Sequence, residues 1–258
     1  MPTETQLRNP TLRSCIVAEE GYTFLSLDAV QIELKVVAYL SSDPLLIADA
    51  SSQDMHLATA TRIFGEGILQ LSPDELKAKR YEAKQINFAV LYGAEAYKIA
   101  EMSDGSLTEE EAQELIDLYF ATYTVLKVWI DAGIAQAKVN GFVRSIFGRI
   151  RPLPDITADS WKLRAKAERE VCNTLTQGTA VDIIKQAMLY LRRLFDARVR
   201  LVLQVHDEIL FEVPDALLPL CVEQTKELKQ AFPLYPFHTA IGKNYGELVE
   251  IKEELIET

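Results

Sequence analysis

The chain has 258 residues, 48% of them apolar and 25% charged, with 38 acidic side chains against 27 basic ones and a formal charge of −11. That composition describes one or two globular domains with enough apolar residues for a core, and the acidic balance argues against a protein that coats nucleic acid by bulk charge. No uncharged apolar run of about 18 residues is present to cross a bilayer, the N-terminus lacks the basic-then-apolar pattern of a secretory signal, and Cys15, Cys172 and Cys221 lie far apart without a CxxC pair, as suits a reducing interior.

In chain order, Tyr22-Thr-Phe-Leu-Ser-Leu27 is β-branched and aromatic, preceded by Gly21 and ended by Asp28, and reads as a short buried strand. From Gln31 to Leu40 the residues Ile32, Leu34, Val36, Val37 and Leu40 predict a largely buried helix stopped by Ser41-Ser-Asp-Pro44. Ser72-Pro-Asp-Glu75 is a capping box, and the helix it opens meets no breaker until Gly93, which makes a rod of roughly 30 Å. Thr108-Glu-Glu-Glu111 opens another helix through Tyr123, Val125 to Asn140 reads as one more ended by Gly141, and residues 160–196 look helical.

The period then changes to two. Val199, Leu201, Leu203 and Val205 alternate with Arg198, Arg200, Val202 and Gln204, and Ile209, Phe211 and Val213 resume after His206-Asp-Glu208, which predicts a β-hairpin with an acidic tip. Two strands from opposite ends of the chain thus each deliver a carboxylate, with a helical block between them, as in a split domain carrying an insertion. Residues 144–169 hold seven cations against three acids, while the last sixteen residues hold five glutamates against two lysines. An isolated charge run of either kind ordinarily marks a solvated helix face.

On the long helix Arg80, Lys84, Phe88 and Tyr92 are four apart and share one slowly drifting stripe, two cations followed by two aromatics. Such a stripe suits a nucleoside triphosphate, with cations on the phosphates and a ring for the base, and equally an amphipathic helix with a wet basic end and a buried aromatic end. Asp28 and the Asp207-Glu208 pair, if their strand ends meet, can hold two divalent cations; singly, each is as well explained as a turn residue.

Together these pieces resemble one family. Asp28-Ala-Val-Gln-Ile-Glu33-Leu-Lys35 resembles motif A of the family A DNA polymerases, the bacterial DNA polymerase I type. Arg80-x-x-x-Lys84-x-x-Asn87-Phe88-x-x-x-Tyr92-Gly93 resembles motif B, and Gln204-Val-His206-Asp207-Glu208 resembles motif C. Asp54-Met-His56, Phe147-Gly-Arg149 and Thr176-Gln177-Gly178-Thr179 match as well, so the resemblance runs from about residue 12 to about residue 250.

The resemblance implies an α+β fold: a palm, an antiparallel sheet with helices, and a mostly α-helical fingers insertion. The palm would take residues 1–35 and 166–258 and the fingers residues 36–165. It implies template-directed addition of dNTPs to a primer 3′-hydroxyl with two Mg²⁺ ions, Mn²⁺ being a substitute. Asp28 and Asp207 would be the metal-binding catalytic carboxylates with Glu208 in support. Arg80 and Lys84 would grip the triphosphate, Lys84 also serving the leaving group, with His56 reaching the phosphates from the side. Phe88 and Tyr92 would flank the incoming nucleotide together with Gln31, and Glu33 beside Tyr92 would crowd the place of a ribose 2′-hydroxyl. Arg149, Arg169, Asn173, Gln177 and His206 would contact primer and template, which accounts for the basic segment.

Several residues depart from the family pattern. Ala29 and Val30 replace Tyr-Ser, Lys35 replaces arginine and Ala89 replaces glycine; none of these removes a metal ligand, so altered speed or fidelity is expected rather than lost chemistry. Family members carry a thumb before motif A, and this chain reaches Asp28 after 27 residues. The expectation is therefore the C-terminal part of a divided or truncated enzyme, with a separate N-terminal chain as partner beside primer-template DNA and dNTPs. The expected location is cytoplasmic, with an organelle left open and no membrane partner. A noncatalytic nucleotide- or nucleic-acid-binding subunit and a single-subunit RNA polymerase relative are the alternatives.

Overall fold

β-branched and aromatic residues favour a pleated, buried strand, and Tyr22–Ala29 forms one: in the computed structural model, which describes residues 10–93, 95–103 and 107–251, this is β1. The chain divides into two compact units, residues 1–32 with 180–258, and residues 33–179. The sequence expectation put the return to the first unit at residue 166, whereas the compact units divide after Thr179. Among the described residues no helix is long and apolar enough to cross a membrane.

The first unit is built on an antiparallel sheet in the order β4-β5-β1-β6-β7, where β4 is Arg200–Val205, β5 Glu208–Pro214, β6 Phe237–Gly242 and β7 Val249–Glu250. β1 lies between β5 and β6, with Leu25 opposite Phe211 and Ile241, and Asp28 opposite Glu208 and His238. Because side chains alternate across a strand, Leu25, Leu27, Ile209, Phe211 and Val213 share one face. Phe195 meets Phe211 edge-on at 5.1 Å on this face, just past helix α10 (Thr179–Leu194), which buries Ala180, Ile183, Ile184, Ala187 and Leu191 at helical spacing. The opposite face carries Phe24, Ser26, Asp28, Glu208 and Leu210, so the acids sit on the side turned away from that apolar layer.

Two sequence expectations change here. The β4–β5 register slips between Leu201 and Leu203, a bulge that leaves Leu201 and Val202 exposed where strict alternation expected Leu201 inside. Residues 160–196 are not one regular helix: α9 (Trp161–Asn173) passes through a π turn at Thr174–Gly178 before α10.

The second unit is mostly helical: α2 (Ile32–Ser41, entering it at Glu33), α3 (Pro44–Ala50), α4 (Met55–Phe64), α5 (Pro73–Leu91), α6 (Ala96–Met102), α7 (Glu109–Thr122), α8 (Thr124–Asn140) and α9, with a small hairpin of β2 (Phe142–Arg144) and β3 (Ile150–Pro152). Both predicted capping boxes close, Ser72 with Glu75 and Thr108 with Glu111. Asp43 caps two helices at once: Oδ1 accepts from Leu45 and Leu46 N–H of α3, and Oδ2 from Val125 and Leu126 N–H of α8. Leu34, Leu46, Met55, Ile86, Tyr119 and Leu126 are among the core side chains that these helices bury together.

Candidate active site

The hairpin between β4 and β5 turns in two residues, His206 and Asp207, with Val205 paired to Glu208. His206 takes φ +54°, the left-handed conformation that the first position of such a turn demands and that glycine adopts most easily. Ala29 N–H donates to the Asp207 carbonyl at 3.1 Å, so the end of β1 and the hairpin tip are tied by backbone. Asp28, Asp207 and Glu208 then share the wall of a cavity of about 360 Å³ with Ser26, His238 and Arg13.

The three carboxylates are not equivalent. Glu208 is 8% exposed, and accepts from Ser26 Oγ and the Tyr245 hydroxyl, each at 2.7 Å, while Arg13 lies 3.0 Å from it and stacks 4.5 Å over the Tyr245 ring. Asp28 is pushed from 3.8 up to about 6, first by burial and then by the negative charges of Asp207 and Glu208, against which His238 and Arg13 work only in part. An acid raised by burial and by neighbouring carboxylates lies where added positive charge is favourable, and oxygen donors of this kind are those a hard divalent cation takes. Among the described residues no three or more His, Cys, Asp or Glu side chains form a closed metal cage. Two carboxylates are an incomplete ligand set, so a cation held by Asp28 and Asp207 would draw its remaining ligands from elsewhere.

In the second unit the predicted stripe lies on α5. Arg80 Nε donates to Asp54 Oδ2 at 2.6 Å, and Asp54 also N-caps α4 through Leu57 N–H at 3.0 Å. Burial alone would raise the Asp54 carboxyl; hydrogen bonds from Arg80 and Leu57 bring it below its ordinary value. Lys84 is exposed and Phe88 half-buried, its ring 5.8 Å from that of His56. His56 is 3% exposed, its Nδ1 3.2 Å from the Asn87 amide nitrogen, and its pKa is driven down to about 4 by burial first and then by Arg80 and Lys84.

The structure brings Glu33 and Tyr92 together: the Tyr92 hydroxyl donates to Glu33 Oε2. Gln31, half-buried, takes φ +49° just before α2. Gly93 follows the helix at φ +62°, and a Cβ there would meet Arg169 Cγ at 2.9 Å, so both conformation and crowding require glycine.

Of the residues expected on primer and template, Arg169 pairs with Glu95 at 2.6 Å and Arg149 donates to the Gly178 carbonyl. Asn173 and Gln177 flank and enter the π turn, a distortion frequent at functional sites. His206 is exposed at the hairpin tip of the other unit. The basic segment is less open than its charge count suggests, since Arg151 pairs with Glu170 and Arg164 donates to the Ala158 carbonyl.

Sequence reasoning did not find Arg13, Ser26 and Tyr245 around Glu208, nor His238, which stands in register beside Asp28. No local pattern announces them, because they come from strands and turns far apart in the chain. Asn87 was inside a quoted motif, and its burial gives it a place that spacing did not.

The sequence matches DNA polymerase family A over residues 1–246. It is 36% identical over 246 residues to the thermostable DNA polymerase I of Thermus thermophilus, covering 94% of this chain and 29% of that protein, and 39% identical over 247 residues to DNA polymerase I of Pseudomonas aeruginosa, covering 92% and 26%. Among solved structures, the polymerase domain of Pol1 from M. smegmatis, in complex with DNA primer-template and dNTP, matches with a TM-score of 0.80 and 29% identity over 95% of this chain and 43% of that one. The chain therefore spans less than a third of the length of these curated relatives.

Proposed function

The chain belongs to DNA polymerase family A, and on that premise we propose that it carries the nucleotidyl-transfer chemistry of a DNA-directed DNA polymerase, adding dNTPs to a primer 3′-hydroxyl. The observation that carries this reading is the pairing of Asp28 with the hairpin acids: two strand ends tied by backbone, with the Asp28 carboxyl pushed up to about 6 by burial and then by the neighbouring acids. Asp28 and Asp207 would hold Mg²⁺, two ions in this reading and Mn²⁺ in their place, which when bound would lower the pKa of the attacking hydroxyl and steady the leaving pyrophosphate.

The remaining roles belong to side chains. Glu208, locked by Ser26, Tyr245 and Arg13, fixes the hairpin tip and adds negative potential. Arg80 and Lys84 neutralise the triphosphate, and Lys84 delivers a proton to the departing pyrophosphate. Arg80 reaches phosphate by exchanging its bond to Asp54. His56 donates a hydrogen bond to phosphate, and Phe88 and Gln31 pack against the sugar and base. Glu33, paired with Tyr92, crowds the place of a ribose 2′-hydroxyl, which favours dNTPs over rNTPs. Arg149, Arg169, Asn173, Gln177 and His206 hold primer and template, and this binding weakens steeply with salt. In this reading residues 1–35 and 166–258 act as the palm and residues 36–165 as the fingers.

The test is extension of a labelled primer on a DNA template with Mg²⁺ at low salt, beside Asp207→Asn, with dNTP and rNTP arms. It is run with the chain alone and with the segment that precedes this region in a homologous polymerase supplied in trans. Incorporation of dNTPs that falls at least a hundredfold in Asp207→Asn, about 3 kcal/mol in the barrier, supports the reading. Nucleotide binding without incorporation in either arm favours a noncatalytic subunit, and preference for rNTPs favours an RNA polymerase.

A further inference from the structure

We propose that Asn87 is a positioning residue that holds His56 in one tautomer, with Nδ1 accepting and Nε2–H presented as a neutral donor to the phosphate oxygens of a nucleoside triphosphate. Thr59, Tyr123 and Asp49 anchor the Asn87 amide from behind. This rests on the nucleotide-binding reading of α5 given above.

The geometry starts with Asn87, which is 0% exposed on the inner side of α5. Its amide nitrogen lies 3.2 Å from His56 Nδ1 and 3.1 Å from Thr59 Oγ1, so both of its N–H groups have acceptors. With the amide nitrogen on this side, which can only donate, Nδ1 accepts and the neutral ring carries its proton on Nε2. The amide is in turn held. Thr59 is fully buried, its hydroxyl 3.4 Å from Asn87 Oδ1 and 3.3 Å from the Tyr123 hydroxyl. Tyr123 donates to Asp49 Oδ2 at 2.6 Å, and Arg62 Nε reaches both Asp49 oxygens at 2.8 and 2.6 Å. Four elements, α3, α4, α5 and the residue before α8, are thereby connected into one buried polar chain that ends on the only histidine of the second unit.

Such a chain couples the two groups, because the reversed amide would face Nδ1 with its oxygen and require the proton there, so amide orientation and imidazole tautomer are set together. The charged groups facing His56 are Arg80 and Lys84 on α5 and Asp54 on its own helix, while Asp49 and Arg62 neutralise each other behind Tyr123. Burial first and then the two cations keep the ring neutral, with its pKa near 4, and so the imidazole contributes a directed hydrogen bond and no charge of its own. A neutral, oriented donor discriminates the position of a phosphate oxygen, whereas Arg80 and Lys84 supply the bulk of the attraction.

The chain has three histidines, so a histidine-selective ¹⁵N NMR experiment on the intact protein resolves them, His56 being assigned by its loss in His56→Gln. His56 is expected in the Nε2–H tautomer with no titration between about pH 5.5 and 8, although a free imidazole titrates near 6.5. In Asn87→Asp an acceptor replaces the donor, and His56 is expected to shift to Nδ1–H and to titrate inside that range. The KM for dNTP then becomes pH-dependent while kcat changes much less. A wild-type His56 that carries its proton on Nδ1 or titrates normally overturns the proposal, and this measurement needs no variant to fold. A second arm adds dATP with Mg²⁺: a shift of the His56 Nε2 resonance supports the phosphate contact. Calorimetric binding of dATP with that resonance unmoved overturns this proposal alone, and no calorimetric binding overturns the nucleotide reading beneath it.

Discussion

Asp28 in the sheet unit and Asp49 in the helical unit are both aspartates among other polar groups, and the fold treats them in opposite ways. Asp49 is 3% exposed, has both oxygens taken by Arg62 and accepts a third bond from Tyr123. Asp28 faces Asp207 and Glu208 instead, and its carboxyl is pushed up to about 6. A buried carboxylate matched by an arginine and a phenol serves the packing of its own unit. A carboxylate beside two others is compensated only in part by His238 and Arg13, and in the proposed reading a bound cation supplies the rest.

The contrast breaks if removing charge at Asp28 does nothing. Asp28→Asn is expected to abolish incorporation, by on the order of a thousandfold or about 4 kcal/mol, while raising the thermal midpoint of the metal-free protein at neutral pH. The sign follows from the raised pKa: between about 4 and 6 the folded state binds more protons than the unfolded chain, so in EDTA stability falls as pH rises through that window. Melting curves in EDTA should show that slope in the wild type and its reduction in the variant. A lower midpoint for Asp28→Asn would mean that the acid is a structural partner after all.

On the helical side the large shift below neutral pH belongs to His56. Its folded pKa near 4 lies below the unfolded value, so the folded state binds fewer protons between about 4 and 6.5. Stability is therefore fully present above about pH 6.5 and is lost progressively as pH falls toward 4, by about 2 to 3 kcal/mol. His56→Gln, compared with wild type in denaturant titrations at about pH 7 and pH 4.5, should show a smaller loss on acidification. Equal losses would place the acid sensitivity elsewhere.

A smaller effect is expected at Asp54, whose carboxylate occupies Arg80. Asp54→Asn keeps an oxygen to cap Leu57 N–H but weakens the hold on the guanidinium. The KM for dNTP should fall by about two- to fivefold, less than 1 kcal/mol, with little change in melting temperature. A higher KM would show that Asp54 orients Arg80 for phosphate rather than competing for it.

The element pattern was legible because local physics wrote it. Both capping boxes, the glycine stop at Gly141 and the buried β1 strand are short-range signals, and the structure contains them. The strict alternation expected for β4 was not, since a bulge is decided by the partner strand and leaves no mark in the spacing of apolar residues. The π turn between α9 and α10 was equally hidden, because Thr174–Gly178 reads as ordinary helix.

For the candidate site, sequence alone determined which residues are candidates, the carboxylates at two strand ends and the cations and aromatics along α5. It could do so because their order and spacing repeat a family pattern. Only the tertiary structure decided their environments. Ser26, Tyr245 and Arg13 converge on Glu208 from 182, 37 and 195 residues away, and Tyr123 meets Asp49 across 74. Hydrogen bonds and pKa shifts depend on distance in space and on exclusion of water, and neither is a property of neighbours in the chain.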